Sequence, residues 1–234
     1  MNNEVKEKFE TSIKYLEVLN RRYLFTLSSY NIFKNFNDLL TSKEKDLNKK
    51  LINDFPYFFQ VVRSSSNLYF LIEVYKFFDN DDRTLSLYKL LKYSETNLKY
   101  LTKDNFKKYH KGRIILDELF NQYKEITVND IRNFKTEIRK NADIINRLRE
   151  YRHKHLAHDD INKIDISIHK DEIETLLKLI KKVLNFYYSI LLFSQSSDRN
   201  FNLEPVKEMN RLVNNLKEYD KIYRENIRKK YKVH

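Results

Sequence analysis

The chain contains no cysteine, and only one glycine and two prolines occur among its 234 residues. The absence of cysteine excludes disulfide bonds and metal sites built from thiolates. Because glycine and proline supply the turns that sheets require, their scarcity favours long amphipathic helices over sheet. A composition of 33% charged and 41% hydrophobic residues suits helices with one apolar face. The sequence therefore predicts an all-α fold.

Long apolar runs are missing as well. The most apolar stretch, residues 183–193, contains Asn185 and Ser189 and is well short of the ~20 residues that a membrane-spanning helix needs. The N-terminal residues lack the apolar core of a signal peptide. We therefore expect a cytoplasmic protein that does not associate with a membrane.

Negative charge is in the minority, since 33 Asp and Glu stand against 45 Lys and Arg and leave a net charge of +12. Such a chain suits a polyanionic partner, with RNA or DNA ahead of an acidic membrane. The same chain is rich in Lys, Asn, Ile, Tyr and Phe and has only two alanines. AT-rich coding produces this bias without selection for nucleic acid, so the charge alone does not assign a partner.

Apolar residues at three- and four-residue spacing predict a series of helices. They cover approximately residues 4–37, 43–53, 56–77, 87–101, 103–123 and 173–191. Thr84 or Ser86 can cap the fourth of these helices. A further helix is expected to begin at Thr127 or Asn129 and to end near Asp159.

Pro205 is expected to begin a last amphipathic helix, which ends in a basic tail. We predict a bundle of long antiparallel helices over residues 1–196, followed by a connector and an added C-terminal helix over residues 197–234. The isolated histidines His110, His169 and His234 are expected on the solvated surface.

The most unusual segment is Tyr151–Asp160, which holds three of the six histidines, two other cationic residues and two carboxylates. Histidine can give and take a proton near neutrality, and the arginine fork matches phosphate oxygens. In an unbroken helix Arg152 and His158 lie about 9 Å apart along the axis and about 120° apart around it. Either the helix ends or tightens before His158, or the site combines these residues from two copies across a two-fold axis.

These residues suit RNA cleavage. A neutral imidazole can take the proton from a ribose 2′-hydroxyl, which attacks the adjacent phosphorus while Arg152 stabilises charge on the phosphoryl oxygens. A second imidazole can protonate the departing 5′-oxygen, and no metal is needed. Other roles stay open: His158 can cap a helix end, His155 can be structural, and both could bind zinc with Asp159.

Arg152-His153, followed by four residues and His158, is similar to the Arg-polar-spacer-His motif of the HEPN superfamily. The string Tyr151–Asp160 resembles the abortive-infection AbiU-type branch of that superfamily. The upstream residues 67–79 resemble the same branch, as do Leu85-Ser86-Leu87 and Leu90-Leu91 that follow them. The resemblance covers roughly residues 5–195.

The resemblance implies a HEPN-like helical bundle that dimerises, and a metal-independent ribonuclease without a cofactor whose cleft lies on the two-fold axis. It implies a role in phage defence or as a toxin, with RNA as substrate and an antitoxin or another defence protein as a partner. Arg152 and His158 are then catalytic. His153, Lys154, His155 and Asp159 are expected to support them or to bind substrate.

Two departures from the branch matter. The residue after the arginine is commonly asparagine there, so His153 is expected to orient rather than to bind. Asp160 stands where some relatives carry a tyrosine that a nucleotidyltransferase antitoxin modifies, and that mode of control is not expected here. The alternative to a ribonuclease is a non-catalytic HEPN module that binds nucleic acid or a partner protein.

Overall fold

The computed structural model describes residues 2–112, 120, 123–153, 167–192 and 199–231, except for the side chains of residues 199–203. Within this part of the chain lie nine α-helices and one 3-10 helix, Leu98–Tyr100, and no strand is found there. The predicted all-α class is confirmed.

The nine helices follow one another along the chain. Their bounds are α1 Asn3–Thr41, α2 Lys45–Asp54, α3 Pro56–Phe77, α4 Leu87–Thr96, α5 Lys103–Tyr109, α6 Val128–Lys140, α7 Ala142–Arg152, α8 Lys170–Leu191 and α9 Arg199–Tyr231. The prediction that Pro56 begins a helix ending at Phe77 is confirmed.

Side chains at the predicted positions cap two of these helices. Ser86 accepts a hydrogen bond from the backbone N–H of Lys89 at the start of α4. At the start of α6, the Thr127 hydroxyl accepts from the Asp130 N–H, and the Asp130 carboxylate accepts from the Thr127 N–H. This reciprocal capping box satisfies N–H groups that have no partner inside the helix.

The single helix expected from Thr127 or Asn129 to Asp159 is wrong, because Asn141 interrupts it with φ −102° and ψ 16°. The Asn141 side-chain amide donates to the Glu137 carbonyl at 2.9 Å, and its backbone N–H bonds to the Ile138 carbonyl at 3.0 Å. Asparagine competes in this way with the helical hydrogen bonds of the backbone. The chain therefore forms α6 and α7 as separate helices.

Three other predicted bounds are also wrong. The helix that was expected over residues 87–101 ends at Thr96 and is followed by the 3-10 helix Leu98–Tyr100. The helix that was expected over residues 103–123 ends at Tyr109, and Gly112 has φ +98°, which favours glycine and does not continue a helix. The last helix begins at Arg199 rather than at Pro205, which lies inside it. Since proline has a helical φ, the preceding turn can still be helical although one hydrogen bond is lost.

The first of two units in the chain comprises residues 1–23 and 71–196. Within it α6 packs against α4, α7 and α8. The inner face of α8 is apolar and buried at Ile173, Leu176, Leu177, Ile180, Val183, Leu184, Tyr187, Ile190 and Leu191. Ile131, Phe134 and Ile138 form the buried face of α6. The core of this unit therefore surrounds α8 and α6.

His110 belongs to this core, and its predicted position on the solvated surface is wrong. Its side chain is buried, with Nε2 2.9 Å from the Leu191 carbonyl oxygen. Since a carbonyl can only accept, Nε2 carries the hydrogen in this contact. The ring also lies 4.3 Å from the Phe106 ring, centroid to centroid. This histidine thus satisfies a carbonyl at the end of α8.

The second unit comprises residues 24–70 and 197–234. Within it α9 packs against α2, and the Lys217 ammonium lies 2.6 Å from the Glu44 carboxylate. Val213 is the only buried residue of α9 among those whose side chains are described. Every residue from 221 to 231 is exposed. The last three turns of α9 therefore have no packed face.

No helix in the described part of the chain is long and apolar enough to cross a membrane. The division into a domain over residues 1–196 and an added segment over residues 197–234 stays a prediction.

Candidate functional site

A cavity of about 770 Å³ opens in the first unit, between the end of α3, the turn that follows it, the start of α4, and the helices α6 and α7. Four arginines and two aspartates line it, together with one histidine: Arg83, Arg139, Arg149, Arg152, Asp79, Asp81 and His153. Its volume is within the range of ~300–1,000 Å³ that is typical of ligand sites. The excess of guanidinium groups over carboxylates favours an anionic ligand.

The helix α7 contributes one face to this cavity. Ala142, Ile145, Asn146, Arg149, Arg152 and His153 line it. These positions recur every three or four residues, which is the spacing of one face of an α-helix. Leu148 is buried off this stripe and fixes the rotation of α7 against the core. The regular helix ends at Arg152, and His153 follows with φ −63° and ψ −42°.

The turn after α3 forms the opposite wall. The Asp79 carboxylate accepts the Asp81 N–H at 3.1 Å, and the Asp81 carboxylate accepts the Arg83 N–H at 2.9 Å. Such side-chain bonds to the backbone two residues on are typical of aspartate in turns. The Arg22 side chain, from α1, donates to the Leu85 carbonyl at 2.7 Å. The turn is therefore held from within and from α1.

Within this turn, Asp81 and Arg83 form a pair of their own. The guanidinium of Arg83 donates from Nε to Oδ1 at 3.1 Å and from Nη2 to Oδ2 at 2.7 Å. The hydrogen bonds from Arg83 lower the pKa of Asp81 to about 2. Asp81 is therefore ionised at neutral pH, and its charge neutralises that of Arg83.

Arg152 meets the turn through Asp79. Its Nη1 lies 3.6 Å from Asp79 Oδ2, and its guanidinium carbon lies 5.2 Å from the centroid of the Tyr75 ring. The Arg152 side chain is 38% exposed, whereas that of Asp79 is 15% exposed. Asp79 and Tyr75 therefore position a guanidinium that still faces the open cavity.

Tyr75 forms a buried part of the cavity wall. Burial, and then the charge of Asp79, raise the pKa of its hydroxyl, while Arg149 and Arg152 act in the opposite direction. Since the ordinary tyrosine value is already near 10, the phenol is neutral at physiological pH. Tyr75 can thus offer a ring face and a neutral hydroxyl, but not a phenolate.

Arg147 lies off the cavity face and fastens α7 to the start of α8. Its Nη1 donates to the Ser167 carbonyl at 2.7 Å and to Glu172 Oε2 at 3.1 Å, and its Nη2 pairs with Glu172 Oε1. Glu172 also accepts the His169 N–H at 2.9 Å. The hydrogen bonds from Arg147 lower the pKa of Glu172. The pair of Arg147 and Glu172 therefore joins the segment before residue 154 to the segment after residue 166.

Of the residues predicted from sequence, Arg152 and His153 line the cavity. Lys154, His155, His158 and Asp159 lie outside the described residues. The pairing of Arg152 with His158, and the catalytic role of either residue, stays a prediction. So does the zinc alternative at His155, His158 and Asp159; in the described part of the chain no group of His, Asp and Glu is arranged to bind a metal ion.

Sequence reasoning missed several residues of the cavity. Tyr75 and Asp79 lie in the upstream stretch that resembles the AbiU-type branch, so a signal for them existed, although no role was assigned. Arg139 gave no signal, since it is one of many charged residues on an exposed helix face. The two stretches that carry the resemblance contribute facing walls of one cavity.

Comparison with known proteins agrees with the sequence resemblance. The HEPN_AbiU2 family model, described as AbiU2, matches residues 9–210, which include every residue that lines the cavity. Neither the curated proteins nor the solved structures include a match to this chain.

Proposed function

Because this chain belongs to the AbiU2 family of HEPN proteins, we propose that it is a metal-independent endoribonuclease that acts in phage defence or arrests growth. The observation that carries the proposal is the position of Arg152. This residue of the Arg-polar-spacer-His motif lies on a cavity that four arginines and only two aspartates line. A guanidinium in such a setting is suited to stabilise charge on a phosphoryl group.

In the proposed reaction, His158 as a neutral imidazole takes the proton of a ribose 2′-hydroxyl. The 2′-oxygen then forms a bond to the adjacent phosphorus, and the bond from phosphorus to the 5′-oxygen breaks. Arg152 stabilises the charge on the non-bridging oxygens, and an imidazolium returns a proton to the 5′-oxygen. The products are a 2′,3′-cyclic phosphate and a 5′-hydroxyl.

The remaining predicted residues have supporting roles in this proposal. His153 lines the cavity next to Arg152 and orients the substrate. Lys154 adds positive charge for the RNA phosphates, His155 supports the catalytic residues, and Asp159 orients an imidazole by accepting its N–H.

We also propose that two copies of the chain form the working site. Arg152 and His158 are six residues apart, and on a continuous helix they cannot easily reach one phosphate. A two-fold axis through the site would let Arg152 of one copy act with His158 of the other. The protein would then work in the cytoplasm on cellular or phage RNA, under the control of an antitoxin or another defence protein.

Single substitutions test the catalytic roles. The wild type should cleave RNA in the presence of EDTA. Purified Arg152→Ala and His158→Ala proteins should not cleave it, although they keep the helical circular-dichroism spectrum and the melting temperature of the wild type. A 2′-deoxy substitution at a mapped cut site should abolish cleavage there. A His158→Ala protein that still cleaves would overturn the proposal, and activity that EDTA removes would point to a metal-dependent hydrolase. A protein that binds RNA and never cleaves it would be the non-catalytic module.

Mixing the two inactive variants tests the shared site. If each site combines two copies, a heterodimer of Arg152→Ala and His158→Ala contains one intact site. Random exchange of subunits should then restore about a quarter of the wild-type rate. If the site lies within one copy, the mixture stays inactive, although co-purification of the two variants through different affinity tags shows that heterodimers form.

Expression in bacteria tests the role in defence. The wild type should slow growth or reduce the yield of phage, and His158→Ala at equal abundance should not. An equal effect of both proteins would separate any defence role from RNA cleavage.

A further inference from the structure

The four arginines of the cavity differ in whether their charge is neutralised. Arg83 is bound at two points by Asp81, and Arg152 pairs with Asp79. Arg139 and Arg149 line the same cavity and are exposed, and neither forms an ion pair with a carboxylate of the described residues. Their positive charge is therefore available to a ligand.

Arg139 and Arg149 come from two consecutive helices and line the same cavity. Arg139 lies in the last turn of α6, and Arg149 lies in the last turn of α7. Together with Ala142, Ile145 and Asn146, they recur at three- and four-residue spacing along one wall of the cavity. Lining one cavity with several like charges is unfavourable unless an anion binds there.

From this arrangement we propose that Arg139 and Arg149 form a second phosphate subsite, which holds the RNA phosphate next to the one that Arg152 contacts. The inference rests on the proposed function, because it names RNA as the ligand of the same cavity. The cavity volume of about 770 Å³ accommodates a nucleotide-sized part of a strand. Guanidinium groups bind phosphate oxygens through paired N–H donors, and they do so without reading the base.

A cation in the last turn of a helix also interacts favourably with the helix dipole, and this effect has to be separated from ligand binding. Lys140 provides the matched control for Arg139. It is exposed in the same last turn of α6 and carries the same charge, but it does not line the cavity. Arg132 is the control for Arg149, since it is an exposed arginine of α6 that does not line the cavity.

The experiment measures binding of a fully 2′-O-methylated single-stranded RNA, which has no free 2′-hydroxyl and so cannot be cut by the proposed route. Fluorescence anisotropy gives the dissociation constant of the full-length wild type and of Arg139→Gln, Arg149→Gln, Lys140→Gln and Arg132→Gln over a range of salt concentrations. A plot of log affinity against log salt concentration has a negative slope. For single strands, each lost phosphate contact makes that slope shallower by about 0.7.

We expect Arg139→Gln and Arg149→Gln each to make that slope shallower by about 0.7 and to weaken RNA binding roughly five- to tenfold at low salt. Lys140→Gln and Arg132→Gln should leave the slope unchanged. If the variants have the same melting temperature as the wild type within error, unfolding is excluded as the cause of weaker RNA binding. If Arg139→Gln and Arg149→Gln show the same slope as Lys140→Gln, the proposal of a second phosphate subsite is overturned.

These binding results are independent of whether the protein cuts RNA. If the slopes of Arg139→Gln and Arg149→Gln become shallower as expected but unmodified RNA is never cleaved, the subsite stands and the ribonuclease proposal fails. If the wild type cleaves RNA and the slopes do not change, the ribonuclease proposal stands and the subsite fails.

Discussion

The pair of Arg147 and Glu172 provides the sharpest test of how the structure holds the candidate site. The Arg147 guanidinium binds both oxygens of Glu172, and it also donates to the Ser167 carbonyl. The substitution Glu172→Gln keeps the shape of the side chain and one acceptor for the His169 N–H, but it removes the negative charge. Arg147 then keeps only the exposed carboxylate of Asp143, 3.2 Å from its Nη2, and loses the carboxylate that joins α7 to α8.

The expected cost follows from the burial of the pair. The side chains are 27% and 23% exposed, so the pair lies between surface and buried ion pairs. Surface pairs contribute about 0–1 kcal/mol, and breaking a buried pair costs about 3–5 kcal/mol. We therefore expect Glu172→Gln to lower the free energy of unfolding by about 2 kcal/mol. For a chain of this length, that corresponds to a fall in melting temperature of about 4–8 °C.

The same pair predicts a pH dependence. Hydrogen bonds from Arg147 hold the pKa of Glu172 below its ordinary value of 4.5 in the folded protein. Since the folded pKa lies below the unfolded value, the stabilisation is fully present above about pH 4.5 and is lost as the pH falls through the folded pKa. The difference in melting temperature between the wild type and Glu172→Gln should therefore be full at pH 7 and shrink below pH 4.5.

Calorimetry at pH 7, 5, 4 and 3 measures this difference. The control is Glu137→Gln, which breaks the exposed pair of Glu137 and Lys182 between α6 and α8. We expect that control to cost about 0.5 kcal/mol. A pH-independent difference for Glu172→Gln, or a cost no larger than that of the control, would refute the reasoning.

Three further substitutions test the architecture around the cavity. Thr127→Ala removes one half of the capping box with Asp130 and should cost about 1 kcal/mol, measured by urea unfolding; an unchanged midpoint would contradict the cap. Leu148→Ala, at a position that is 1% exposed, should cost about 2–5 kcal/mol in the same assay, and a cost below 1 kcal/mol would mean that α7 is not packed as described. Asp79→Asn removes the carboxylate that, in the proposed function, competes with phosphate for Arg152. It should tighten RNA binding by roughly two- to fivefold while slowing cleavage, and weaker binding would show that Asp79 supports the ligand rather than competes with it.

The helices could largely be predicted from the sequence, because apolar periodicity records which face of each helix is buried. The break at Asn141 could not. Ile131, Ile138 and Ile145 recur at seven-residue intervals across it, so the apolar pattern continues while the backbone turns. The interruption depends on the hydrogen bond from the Asn141 side chain to the Glu137 carbonyl, which periodicity does not record.

The candidate site was predicted in part. Arg152 and His153 stand out in the sequence because unusual residues are concentrated around them, and both line the cavity. The ion pair of Arg152 with Asp79 joins residues that are far apart in the chain, and only the packing of α7 near the end of α3 brings them together. Arg139 and Arg149 are two of many charged residues on exposed helix faces, and nothing in the sequence marks them as lining the same cavity.

The exposed end of α9 has a consequence for hydrogen exchange. Residues 221–231 are all exposed, and the nearest buried anchor is Val213. An isolated helical segment of this length is only marginally stable in water. Amide protons beyond residue 220 should therefore exchange orders of magnitude faster than those of α8, whose inner face is enclosed. Ile222, Tyr223 and Ile227 thus lie on a stretch of backbone that we expect to open and close largely independently of the rest of the molecule.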